Sequence, residues 1–286
     1  MWPPPSLRSP TRAAWLGLAL FGLALALRLA VVPTARFTAD ESSAWADAVQ
    51  TARGEQLPLL GQPINGGEAR VPGPAVPWVL ALSQLPGASA TGLYAWMALL
   101  GSAAVLLVWH ALRRPFGEPG ALAAGLLLAT SPWGVFHSVA TNTVSLMPLP
   151  VALALQAAVR VAERPGPAWT AVLLGAAALL AQVHLSAPAV WVALLVVAGP
   201  SLRRLPRRGL VAGLGLVLLL QGPWVLSELQ TGGANLRALA TDDRPRTPTL
   251  ETAAPALEAT LRLLTLDTSH RELAGDWGGV PRDRRR

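Results

Sequence analysis

Apolar runs of bilayer-crossing length dominate this chain. The first occupies 13–32, directly after Arg8 and Arg12, and others occupy 91–111, 119–136, 143–160, 168–184, 185–199 and 209–226. About 20 apolar residues carry a helix through a bilayer core. A soluble fold of 286 residues could not hide so many, because much of its surface must face water. Composition agrees: 52% of residues are hydrophobic and 14% are charged, where about 25% charged is usual. Disorder is excluded for most of the chain, while 26 Gly and 26 Pro weigh against one long rigid helix array. The expected fold class is all-α, a polytopic membrane helical bundle of about seven spans.

Two runs admit other readings. Residues 13–32 have the basic start and apolar core of a secretory signal peptide. Against that, the run is long, no small-x-small cleavage pattern comes after it, and Trp15 suits a headgroup anchor. Residues 185–199 are short, contain Pro188 and succeed the preceding run almost without a linker. A broken or re-entrant pair is the alternative there.

Charge placement sets the expected orientation. All 23 basic residues are Arg, and the net charge is +7. No stretch interleaves Arg with aromatics on a polar face, so nucleic acid is not an expected partner. Ten Arg (8, 12, 113, 114, 160, 164, 203, 204, 207 and 208) fall on alternate loops, beside only Glu118 and Glu163. The loop at 33–90 carries Asp40, Glu41, Asp47, Glu55 and Glu68, and nine more acids lie after Leu226. The positive-inside rule then puts the N-terminus in the cytoplasm and residues 33–90 outside. Trp109, Trp133, Trp169 and Trp224 near span ends fit an aromatic belt. The chain divides into a membrane domain, 1–226, and a polar extracytoplasmic segment, 227–286, with one helix expected near 250–266.

The outer loop is the informative part. Residues 40–53 predict a helix close to the membrane, with Trp45, Ala48 and Val49 at helical spacing. Pro72, Pro74 and Pro77 interrupt the middle of the loop, and 78–85 is an apolar stretch too short to span.

Several residues can carry chemistry. Asp40 and Glu41 are adjacent carboxylates at a low-dielectric boundary, where like charge and burial raise a carboxyl pKa toward that of a general base. They could equally be an acidic helix start favoured by the dipole. Glu68 and Arg70 sit in the Gly/Pro-rich stretch Gly66-Gly67-Glu68-Ala69-Arg70-Val71-Pro72-Gly73-Pro74. The pair could bind an anion or sugar through the guanidinium fork, or simply face solvent. His184, after Gln182, could line a cavity, although a lone His is more often a packed, hydrogen-bonded residue. Thr141, Asn142, Thr143 and Ser145 form a polar patch that either caps a helix or faces the same cavity. His110 and His137 lack partners at a readable spacing. No cysteine, metal-ligand motif, phosphate-binding Gly loop or nucleophile elbow is present.

Taken in order, several short motifs resemble the membrane-embedded GT-C glycosyltransferases, in particular the branch near the protein O-mannosyltransferases and the lipid A aminoarabinose transferases. They are Phe37-Thr38-Ala39-Asp40-Glu41, Gly61-Gln62-Pro63, the Gly66 to Pro74 stretch, Leu85-Pro86, Ser131-Pro132-Trp133, Asn142-Thr143-Val144-Ser145-Leu146-Met147-Pro148 and Gln182-Val183-His184-Leu185-Ser186. The order and topology match over about residues 10–225. The resemblance implies a GT-C-like N-terminal half with a helical first outer loop. It implies transfer of a sugar from a polyprenyl-phosphate carrier to a lipid, glycan or protein acceptor at the outer face of a bacterial plasma (inner) membrane. Asp40 becomes the expected catalytic carboxylate, with Glu41 beside it. Glu68 and Arg70 fall in the loop that shapes the carrier or sugar site, with Arg36 an equal candidate for the departing phosphate. Asn142 and His184 are carried over as site neighbours. The resemblance supplies no certain cofactor and leaves a divalent cation open.

Relatives of that kind run beyond this chain's length, so the resemblance also implies a truncated protein or one completed by a partner subunit. Two other function classes compete. One is a noncatalytic membrane subunit that keeps the scaffold. The other is a small transporter, which paired polar residues at mid-membrane or an inverted repeat of broken helices would favour; the sequence shows neither clearly, and Gln156 and Gln182 are thin support.

Overall fold

The computed structural model describes residues 10–35, 39–64, 68–137, 140–141 and 143–241. Among these residues every regular element is helical, and the β feature is an isolated bridge between Pro63 and Arg70. The protein is an all-α membrane helical bundle.

The chain opens with α1 (Pro10–Val31), then α2 (Ala39–Ala52) and α3 (Ala75–Leu82) of the loop region. Next comes α4 (Ala90–Thr130), whose start is capped by Ser89 Oγ accepting from the Gly92 N–H at 3.1 Å. Its 41 residues would reach about 60 Å if straight, roughly twice a bilayer core. It is not straight. Gly117 adopts φ 71°, ψ 177° between Pro115 and Pro119, a backbone conformation that other residues rarely reach. There the chain reverses, and Gly125 of the second leg packs against Trp109 of the first. Val105, Trp109, Ala121 and Ala129 then share one core cluster with Leu20 and Ala24 of α1.

Two short helices come next, α5 (Pro132–His137) and α6 (Thr143–Leu146), before α7 (Pro148–Glu163), α8 (Pro167–Val183), α9 (Ala187–Ala198), α10 (Arg207–Thr231) and α11 (Ala234–Ala240). In lipid no hydrophobic drive pulls helices together, so close approach of small residues matters instead. Ala152, Ala154, Ala157 and Ala158 accordingly fill the buried faces of α7. At Gly209 and Gly213, α10 comes against Thr170 and Leu174 of α8 so closely that an added methyl would collide.

By length and composition four helices can cross a membrane: 12–34, α4, 143–163 and α10. The seven runs map onto the helices unevenly. The runs at 91–111 and 119–136 are the two legs of α4 on either side of Gly117, the second ending at Thr130. Helix α8, with 17 residues, reaches roughly 26 Å, and α9, with 12, roughly 18 Å, against a core of about 30 Å.

The reversals give the bundle two distinct ends. The first, the arginine-rich end, gathers Arg12 with Glu118, Arg114 with Glu163, Arg160 over the Trp169 ring, and Ser201 donating to the Ala162 carbonyl. The second, the loop end, carries the loop helices α2 and α3, the start of α4, α5, α6 and α11. The helix expected near 250–266 lies outside the described residues.

Candidate functional site

At the loop end, amide side chains fasten irregular backbone to the bundle. Gln182, 1% exposed in the last turn of α8, accepts from the Ala75 N–H at 3.0 Å and donates to the Leu220 carbonyl of α10. Gly73, at φ 95°, lies so close that a Cβ there would sit 2.3 Å from the Gln182 side chain. Asn235 of α11 grips Arg70 at two points, accepting from its backbone N–H at 2.7 Å and donating to its carbonyl at 3.2 Å. Gln84 accepts from the Trp45 indole at 3.2 Å and from the Ser89 N–H at 2.9 Å, joining α2 to the start of α4. Glu228 takes the Trp224 indole at 2.9 Å and the Leu236 N–H at 3.3 Å, so its charge sits at the start of α11.

These clamps bring the candidate segments together. Ala44, one turn after Asp40 and Glu41, shares an apolar cluster with Val76 and Leu80 of α3, Leu93 and Met97 of α4, Leu146 of α6 and Val183 of α8. The stretches that carry the acidic pair, the polar patch at 141–145 and His184 therefore dock on one core. The stretch that carries Arg70 joins them through Gln182.

The individual side chains are less uniform. Asp40 lies in the first turn of α2, but its side chain is outside the described part; Arg36 and Asn142 are outside it altogether. Glu41 is 8% exposed and close enough to Tyr94 of α4 to act electrostatically on its phenol. Glu68 is exposed. Arg70 is exposed as well, and gives one N–H to the Gly61 carbonyl at 3.3 Å. His184 is half-buried, with Nδ1 accepting from the Ser186 N–H at 3.1 Å and lying 2.8 Å from Ser186 Oγ. The neutral ring then carries its proton on Nε2. Among the described residues no three His, Asp or Glu gather to hold a metal ion.

One residue is absent from the candidates that the sequence offers. Arg28, 2% exposed near the end of α1, donates to the carbonyls of Ala24, Leu128 and Ala129, the last two in the final turn of α4. It lines a cleft with Trp133, His137, Val144 and Ser145. The Trp133 and His137 rings lie 4.6 Å apart, and burial pushes the His137 imidazole below its ordinary pKa, favouring the neutral ring. A signal for Arg28 does exist: a lone charge inside an apolar run is costly unless it has a use.

No curated protein and no solved structure matches the chain. The family model described as dolichyl-phosphate-mannose-protein mannosyltransferase matches residues 70–226, more than half of the sequence. The matched stretch holds Arg70, Gln182 and His184 and begins after Asp40, Glu41 and Glu68. With an all-helical bundle around that stretch, the chain belongs to the dolichyl-phosphate-mannose-protein mannosyltransferase family of membrane glycosyltransferases.

Proposed function

We propose that this protein is a GT-C-type glycosyltransferase, of the branch near the protein O-mannosyltransferases and aminoarabinose transferases. It moves a sugar from a polyprenyl-phosphate donor to an acceptor at the outer face of a bacterial inner membrane. Its N-terminus and arginine-rich end face the cytoplasm, and residues 1–226 form the membrane domain. The observation that carries this reading is the family match, reinforced by the docking of the acidic, polar and His184 segments on one cluster at the loop end.

Asp40 takes the proton of the acceptor hydroxyl or amine. The freed electron pair attacks the anomeric carbon, the bond from that carbon to the phosphate oxygen breaks, and polyprenyl phosphate leaves as the anion. Glu41, buried against α4, holds the first turn of α2 in place. Glu68, Asn142 and His184 border the sugar, with His184 Nε2 free to donate. Arg70 and Arg36 are the cations near the loop that the resemblance offers to the departing phosphate.

The test is donor consumption by membranes containing the full chain, compared with Asp40→Asn. Loss of a positioned general base should lower turnover by about 100-fold or more. Equal turnover in both removes Asp40 from the mechanism. A second reading, a scaffold subunit without activity of its own, is favoured by the start of the family match at residue 70, beyond the acidic pair. It predicts no donor consumption by either form, with turnover returning only when a partner is added.

A further inference from the structure

The Arg28 cleft is a strong unassigned feature of the fold. An arginine has five N–H groups. Three hydrogen bonds run from Arg28 to backbone carbonyls: Nη1 to Ala24 and Ala129, at 3.1 and 3.2 Å, and Nη2 to Leu128 at 3.2 Å. The Nε–H is buried and has no partner, and Nη2 has one N–H over. Nε and Nη2 flank one edge of the guanidinium, the edge that grips a carboxylate or phosphate through two parallel hydrogen bonds. Among the described residues no carboxylate lies within ion-pair distance of Arg28.

The surroundings fit an amphiphilic anion. The walls of the cleft are mainly apolar, with Leu128, Trp133, Val144 and Pro148 among them, and His137 and Ser145 are its other polar side chains. Its position also fits. Tyr94, Ala98 and Gly101 succeed one another along a single face of α4. Glu41 acts on the first, and Gly101 lines the cleft. Seven residues of helix rise roughly 10 Å, a separation that a sugar and its phosphate can bridge. A cap for the end of α4 would explain the bonds to Leu128 and Ala129, and a bond back along α1 the one to Ala24, but neither explains the open edge.

We infer that the free edge of Arg28 binds the phosphate of the lipid-linked donor, with the first units of the apolar chain lying against Trp133 and Val144. This rests on the donor class named under the proposed function. It assigns the phosphate to a buried residue of α1, where the loop arginine Arg70 is exposed and already donates to Gly61.

The purified full chain in zwitterionic nanodiscs, titrated with radiolabelled polyprenyl monophosphate, tests it, with unlabelled polyprenol and inorganic phosphate as competitors. Wild type should bind the monophosphate at least tenfold more tightly than polyprenol, and inorganic phosphate should compete only weakly. Arg28→Gln should abolish the preference for the phosphate. Because that change also removes the cap on α4, Val144→Trp is the companion variant: it fills the cleft, leaves every Arg28 bond intact and should weaken lipid binding by tenfold or more at unchanged melting temperature. Equal binding by wild type and both variants overturns this site alone, as does inorganic phosphate competing as well as the lipid. No binding by folded wild type takes the donor class down with it.

Discussion

The two ends of this bundle are held by different chemistry. At the arginine-rich end the contacts are made by arginines that water reaches: Arg12 to Glu118 at 3.9 Å, Arg114 to Glu163, and Arg113 over the buried Trp109 ring at 4.7 Å. At the loop end they are neutral amides, Gln84, Gln182 and Asn235, each 6% exposed or less and each satisfying backbone groups that no helix serves. Exposed ion pairs are worth little and adapt easily. A buried amide is costly to leave unmade, so it holds its partner in one place. The loop end is thus the one built to fix irregular backbone in position, as a site that must align a donor and an acceptor requires.

The largest stability effect should come from breaking the Gln182 clamp. Gln182→Leu strands the buried Ala75 N–H at the start of α3, at about 1–3 kcal/mol, and removes the tie to the Leu220 carbonyl inside α10. Thermal unfolding in detergent should shift accordingly, and limited proteolysis between residues 53 and 90 should accelerate. Gly73→Ala should act in the same direction, since its φ of 95° and its contact with Gln182 both reject a side chain. If Gln182→Leu unfolded like wild type, the loop end would owe its order to something other than the clamp.

Asn235→Ala sharpens the comparison at a lower level. Asn235 lies beyond the matched family region, yet it grips the backbone of Arg70, where that region begins. Losing the pair should cost about 1–2 kcal/mol and raise exchange at the Arg70 amide before global unfolding. An Arg70 amide protected equally in wild type and variant would show that α11 does not hold this strand.

How much of the fold and site is legible in the sequence depends on the kind of signal. The expected helix at 40–53 is Ala39–Ala52 in the structure, because its apolar positions recur at helical spacing. The short apolar stretch expected at 78–85 is α3, starting three residues earlier, because Pro77 is tolerated in a first turn. The turn between the two legs of α4 is legible as a break, because Pro115, Gly117 and Pro119 interrupt the apolar pattern, but the direction in which Gly117 sends the second leg is not. The convergence of Ala44, Leu146 and Val183 is beyond reach, because partners more than 100 residues apart leave no local pattern. Gln182 stands out in the sequence only as the neighbour of His184 and a polar residue inside a run, although it holds the Ala75 and Leu220 backbones at once. Arg28 is readable as an anomaly, but its open guanidinium edge exists only once the final turn of α4 has taken up its share of the donors.

The smallest effect belongs to the other end. Glu163 lies at the end of α7 with its side chain 16% exposed, and its partner Arg114 is 51% exposed. Glu163→Gln keeps the shape and a hydrogen-bond acceptor while removing the charge, so the loss should be about 0.5 kcal/mol and should fade as salt is raised. The measurement is the melting temperature of the variant against wild type at low and high ionic strength. A loss above about 2 kcal/mol that salt leaves untouched would mean that this end, too, is locked by a desolvated contact. Rigidity would then no longer distinguish the end proposed to do the chemistry from the end that closes the bundle.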